Sequence, residues 1–160
     1  FGEVVRTAAQ VIGNGEQTGK PVAVLRLTLG SFDTHQNQNA TQAGLLRQLG
    51  DGLMALKSAL IELKRWDNTV ISTYSEFGRR ARENQSGGTD HGTASAHFVL
   101  GGRVNGGLFG AAPQLDRLDG NGNLGHSIDF RSVYASLMRQ CWSIDDNDIA
   151  STGVLDLVRT

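Results

Sequence analysis

The chain has 160 residues, with 15 Lys and Arg against 16 Asp and Glu, so its formal net charge is -1. That length suffices for one domain with a sizeable core, and the near-neutral balance lacks the basic face that a large nucleic-acid footprint needs. No stretch approaches the roughly 20 consecutive apolar residues of a helical membrane span.

The start, Phe1-Gly2-Glu3-Val4-Val5-Arg6, contains no Met and does not have the pattern of a signal peptide. It reads as the middle of a helix, so the chain is expected to be part of a longer protein. Val4, Val5, Ala8, Ala9, Val11 and Ile12 give residues 3–12 helical spacing, which Gly13-Asn14-Gly15 is expected to stop. Residues 22–29 are almost continuously apolar and partly β-branched, the pattern of a strand buried on both faces of a parallel sheet.

That run gives way through Gly30 and Ser31 to Phe32-Asp33-Thr34-His35. In extended chain, residues i and i+2 project to the same side. Asp33 and His35 then offer a hard oxygen and an imidazole nitrogen together, which is half of a metal site. A plainer reading stands beside it: Asp33 caps the following turn and His35 bonds to backbone.

Leu45, Leu49, Leu53, Leu56, Leu60 and Leu63 lie at helical spacing, with Leu46, Met54 and Ile61 beside them. The spacing predicts a helix over 41–65, about six turns long. A helix covering a sheet accounts for the Leu stripe without a coiled-coil partner. Residues 69–74 are β-branched and aromatic, a second strand. Strand, helix and strand make a βαβ unit with a parallel pair and a right-handed crossover. The second strand runs into Ser75-Glu76-Phe77-Gly78-Arg79. Two acidic clusters are thus expected at one sheet edge, where ligands of open α/β sheets bind.

Gly87-Gly88-Thr89-Asp90-His91-Gly92 follows, and then Ala96 to Leu100, a short strand in which His97 reads as a satisfied core or edge histidine. Residues 116–123 have the composition of a calcium loop, but they lack its oxygen spacing and closing Glu, so they read as turns. His126 lies in loop sequence. Asp129 fits the N-cap of a helix carrying Val133, Tyr134, Leu137, Met138 and Cys141. Cys141, the one cysteine, excludes an internal disulfide and reads as a small core residue. Residues 144–149 are expected to start another short helix.

Taken together, Phe32-Asp33-Thr34-His35, Thr73-Tyr74-Ser75-Glu76-Phe77-Gly78-Arg79, Gly88-Thr89-Asp90-His91-Gly92 and Asp129-Phe130-Arg131 resemble the sulfatase-like bacterial proteins of unknown function in the alkaline phosphatase superfamily. The resemblance implies an α/β fold, a mostly parallel sheet flanked by helices, of which this chain is the carboxyl-terminal part of a single domain. It implies a metal-dependent hydrolase of phosphate or sulfate esters, with a small anionic ester as substrate and an exported or periplasmic location. Asp33, His35 and His91 match the ligands of the first metal. Glu76 falls where a second-metal Asp stands in the superfamily, and Phe77 where a His stands. Asp90 either ligates a metal or, the preferred reading, accepts a hydrogen bond that fixes the His91 tautomer; Arg79 is expected to grip an anion, and Arg80 and Arg82 to be solvated. Zinc suits the ligand set best, with manganese or iron as alternatives. No residue matches the superfamily's nucleophile strand, which is expected before Phe1, so this chain alone is expected to lack ester turnover. The alternative is a degenerate binding or assembly module on the same scaffold, which Phe77 favours.

Overall fold

The computed structural model describes residues 1–145, 149 and 153–159. The chain packs as two compact units, Phe1–Thr69 with Glu83–Thr89, and Val70–Arg82 with Asp90–Thr160.

In the first unit, helix α1 (Gly2–Gln17) packs against helix α2 (Gln38–Glu62). Val5 and Ala8 of α1 and Leu45, Leu56 and Leu60 of α2 are buried. Leu60, 1% exposed, is the largest side chain fully enclosed there. Complete burial of a Leu is worth about 1.5–3 kcal/mol. Helix α1 does not stop at Gly13; it continues through Gly15 to Gln17. Gly13 faces the Leu63 side chain, and the Lys20 backbone N–H donates to the Gly15 carbonyl at 2.8 Å. The stop comes at Gly19, whose φ of +67° a residue with Cβ adopts only with strain. The Arg65 guanidinium pairs with the Glu16 carboxylate between the two helix ends.

Helix α2 starts at Gln38, three residues before the predicted start at 41, and ends at Glu62. Its N-cap, Asn37, is left-handed and makes no side-chain cap bond. Instead the Asn37 and Gln38 amides donate to the carbonyls of Ser86 and Gly87, at 3.1 and 2.8 Å. Carbonyls far along the chain thus satisfy the first orphan donors of the helix. The Leu stripe meets α1 rather than a sheet. A short 3-10 turn, Trp66–Asn68, follows α2.

In the second unit, β1 (Ile71–Ser72) pairs antiparallel with β4 (Val99–Leu100), Ile71 opposite Leu100 and Ser72 opposite Val99. Strands β2 (Gly78–Glu83) and β3 (Thr89–Gly92) form a hairpin whose turn, from Glu83 to Thr89, belongs to the first unit. Helix α3 (Phe130–Trp142) begins at Asp129, whose carboxylate accepts from the Arg131 amide at 2.9 Å, as the N-cap reading expects. Ala135 and Ser136 of α3 are buried, as are Leu157 and Val158. Gln140 ties that last segment to α3: its Nε2 donates to the Leu155 carbonyl, and its Oε1 accepts from the Leu157 and Val158 amides.

The mostly parallel sheet is therefore wrong. Residues 22–29 form no strand, and the sheets present are two antiparallel pairs. Val24 is 74% exposed. An apolar run specifies extended backbone, but a strand also needs a neighbour to take its N–H and C=O groups. Among the described residues none pairs with 22–29 in a ladder. The second strand and the strand near His97 shrink to two residues each, Ile71–Ser72 against Val99–Leu100, with one further backbone bond from Thr73 to Phe98. Cys141 is exposed, not a core residue, because α3 turns its opposite side to Leu157 and Val158. Of the short helix expected over 144–149, residues 146–148 lie outside those described, and Ile144 and Asp145 are not helical. The loop at 116–123 is a turn, as expected: Asp119 accepts from the amides of Asn121 and Asn123, each at 2.8 Å.

Candidate metal centre

Three consecutive residues build the first part of the site. Thr34 is buried, while Asp33 and His35 are exposed on either side of it. Burial thus alternates along these three residues without a strand. The Asp33 Oδ1 and the His35 Nε2 stand 2.9 Å apart, with side chains 62% and 48% exposed. The Thr34 amide donates to the Phe32 carbonyl at 2.9 Å, so the backbone turns tightly between Phe32 and Thr34. The Asp33 carboxylate faces the His35 imidazole.

The hairpin turn holds the next part of the backbone. Asn84 Nδ2 donates to the His35 carbonyl at 3.0 Å, and Asn84 Oδ1 accepts from the Ser86 and Gly88 amides. Thr89 Oγ1 donates to Gln38 Oε1 at 2.9 Å. Gly88 is packed against the His35 carbonyl and the Gln36 amide so closely that a Cβ there would overlap both. A glycine at this position is a packing requirement, since backbone meets backbone. These contacts were not legible in the sequence, although Gly87-Gly88 marked a turn.

His91 follows on β3, in the second unit. Its ring lies flat on that of Phe77, centroids 3.8 Å apart and planes 8° from parallel. The Arg79 guanidinium carbon lies 5.0 Å from the Phe77 centroid, a cation–π contact. Phe77 thus serves as a platform for the imidazole. Asp90 Oδ2 stands 3.6 Å from Arg80 Nη1. Arg80 is half-buried rather than solvated, and its Nε is enclosed. Glu76 is exposed, and among the described residues it joins no group of three side chains able to hold one ion. Glu76 is expected beside Asp33 and His35 only through a parallel strand pair, which the described residues lack. His126 is an exposed loop residue of the second unit.

A family model matches residues 6–125, which include Asp33, His35, Glu76, Arg79, Asp90 and His91. The chain belongs to the DUF1501 family. That family is described as proteins of unknown function. No curated protein and no solved structure matches the chain. Among the described residues of this DUF1501 protein, no helix is long and apolar enough to cross a membrane.

The donor set of the Asp33–His35 pair fits a divalent cation. Two tetrahedral zinc ligands at about 2.0–2.1 Å place their donor atoms about 3.3 Å apart. The present 2.9 Å gap needs to open by a few tenths of an ångström to admit the ion in place of the shared proton. Both side chains are exposed.

Proposed function

We propose that Asp33, His35 and His91 hold one divalent cation, zinc in preference to manganese or iron, and that the protein uses it on phosphate or sulfate esters. The observation that carries this reading is the outward-facing Asp33–His35 pair, its donor atoms 2.9 Å apart. Chain continuity supplies the reason to add His91. Gly88 packs on the His35 backbone, and His91 lies three residues further along. At about 3.3 Å per residue, its Cα is within about 10 Å of that contact. Two imidazoles and a carboxylate are a ligand set that suits zinc and leaves a fourth position open. When bound, the cation supplies Lewis-acid stabilisation of charge on an ester oxygen and lowers the pKa of a water. Asp33 supplies the negative charge of the ligand set. Phe77 holds the His91 ring, and Arg79, which leans on Phe77, offers a guanidinium fork for an oxyanion.

A second reading, a metal-binding module without turnover, draws on the same stack. Phe77 stands where the resembling phosphatases carry a second imidazole, and here it is an apolar platform. The two readings part on anion binding. Inorganic phosphate and sulfate are titrated into the zinc-loaded chain and into the metal-free chain. Oxyanion binding that requires zinc and is lost in His35→Ala supports the ester reading. Zinc uptake without oxyanion binding supports the module. Absence of zinc uptake sinks both.

A further inference from the structure

A second cluster of polar side chains lies wholly within the second unit and has no part in the metal reading. Ser95 Oγ is 2.8 Å from His97 Nε2. On the other side of the ring, Thr73 Oγ1 is 3.5 Å from His97 Nδ1. Thr73 is anchored where the β1–β4 ladder continues past its last pair: its amide donates to the Phe98 carbonyl at 3.0 Å. Its hydroxyl accepts from the Phe98 amide at 2.8 Å and lies 3.5 Å from the Phe98 carbonyl. When the Thr73 hydroxyl donates to that carbonyl, its oxygen can accept from Nδ1–H, the tautomer that the Ser95 contact requires. The neutral imidazole then has Nδ1–H and a bare Nε2. That bare nitrogen is the acceptor that the Ser95 hydroxyl needs. Partial burial holds the His97 pKa below its ordinary value, which keeps the ring in the neutral, basic form at pH 7.

We propose that Ser95 and His97 form a nucleophile–base pair for acyl transfer from small, uncharged carboxylic esters, with Thr73 as a positioning residue. Nucleophile and base stand within hydrogen-bond reach and the base is oriented by a third group, as activation of a serine requires. Ser95 is exposed, so an ester has access to Oγ. Residues 93–98 carry no acidic or basic side chain other than His97, and the exposed Phe98 and Tyr74 adjoin His97 and Thr73 in sequence. An uncharged ester with an apolar or aryl group suits those surroundings.

The step balances without a co-reactant other than water. Oγ attacks the acyl carbon while its proton passes to Nε2. The bond from the acyl carbon to the leaving oxygen breaks, and the Nε2 proton passes to that oxygen to release an alcohol. Water then attacks the Ser95 ester with Nε2 as base, the acid departs, and the proton returns to Oγ.

The test uses the full chain in the presence of a chelator, so that failure of the metal reading leaves it untouched. An alkyl fluorophosphonate is the trapping probe and p-nitrophenyl acetate the turnover probe; the adduct is located by peptide mass spectrometry. The expected result is an adduct on Ser95, absent in Ser95→Ala and formed at least about 100-fold more slowly in His97→Gln, the contribution typical of a positioned general base. Imidazole 15N NMR should find His97 protonated on Nδ1 and bare on Nε2, and Thr73→Val should erode that preference and slow labelling. No adduct on Ser95, an unchanged rate in His97→Gln, or a wild-type ring protonated on Nε2 overturns the proposal.

Discussion

Replacing Gly88 with Ala should undo the docking of the hairpin turn on the loop that carries His35. The added Cβ would sit on the His35 carbonyl and 2.6 Å from the Gln36 nitrogen, whereas ordinary contact begins at 3.4 Å. Both obstacles are backbone, so no side chain can swing away; one segment must retreat by nearly an ångström. Four hydrogen bonds lie across this contact. They run from Asn37 N to Ser86 O at 3.1 Å, from Gln38 N to Gly87 O at 2.8 Å, from Asn84 Nδ2 to His35 O at 3.0 Å and from Thr89 Oγ1 to Gln38 Oε1 at 2.9 Å. Each contributes about 0.5–1.5 kcal/mol net, and overpacking by itself costs about 1–3 kcal/mol. Partial retention of the bonds brings the expected loss to about 2–4 kcal/mol. Hydrogen exchange at the Asn37 and Gln38 amides reads this locally; every 1.4 kcal/mol is a tenfold loss of protection. Gly50→Ala is the control: it lies on α2 with open space at its Cβ, and Ala there should be neutral or stabilising by up to about 1 kcal/mol. Unchanged protection at Asn37 and Gln38 in Gly88→Ala would refute the reasoning.

Leu60→Ala removes the most enclosed side chain between α1 and α2 and should cost about 2–5 kcal/mol in urea unfolding; a loss under about 1 kcal/mol would mean that the two helices do not share a core. Asp129 is held down to a pKa of about 2, first by the hydrogen bond from the Arg131 side chain and then by the Arg131 amide. Its folded value lies below the unfolded one, so its contribution to α3 is complete above about pH 4 and is lost as pH falls through 2. A carboxyl NMR titration should place the Asp129 midpoint near 2, and a midpoint near 4 would contradict the cap.

Local features were legible in the sequence and pairings were not. The Leu stripe of α2 and the Asp129 cap of α3 depend on residues a few positions apart, and both appear where the spacing puts them. The outward pair Asp33 and His35 follows from the two-residue alternation and needs no sheet. The sheet itself required knowing what lies beside residues 22–29, which an apolar run does not encode. The same gap hid the start of α2, because its orphan amides are met by Ser86 and Gly87, nearly fifty residues away. Phe77 read as a missing ligand, and its flat contact with His91 was invisible because stacking depends on the hairpin and not on spacing.

Calorimetric titration of zinc into the chain decides whether Asp33, His35 and His91 share a cation. A single site is expected in the wild type, weakened by more than about 100-fold in His91→Ala and in Asp33→Asn, and by less than about tenfold in Glu76→Gln. Removing a true ligand costs a metal–ligand bond, whereas loss of a supporting outer group alone typically costs about 10–100-fold. Equal zinc affinity in the wild type and in His91→Ala would contradict the claim.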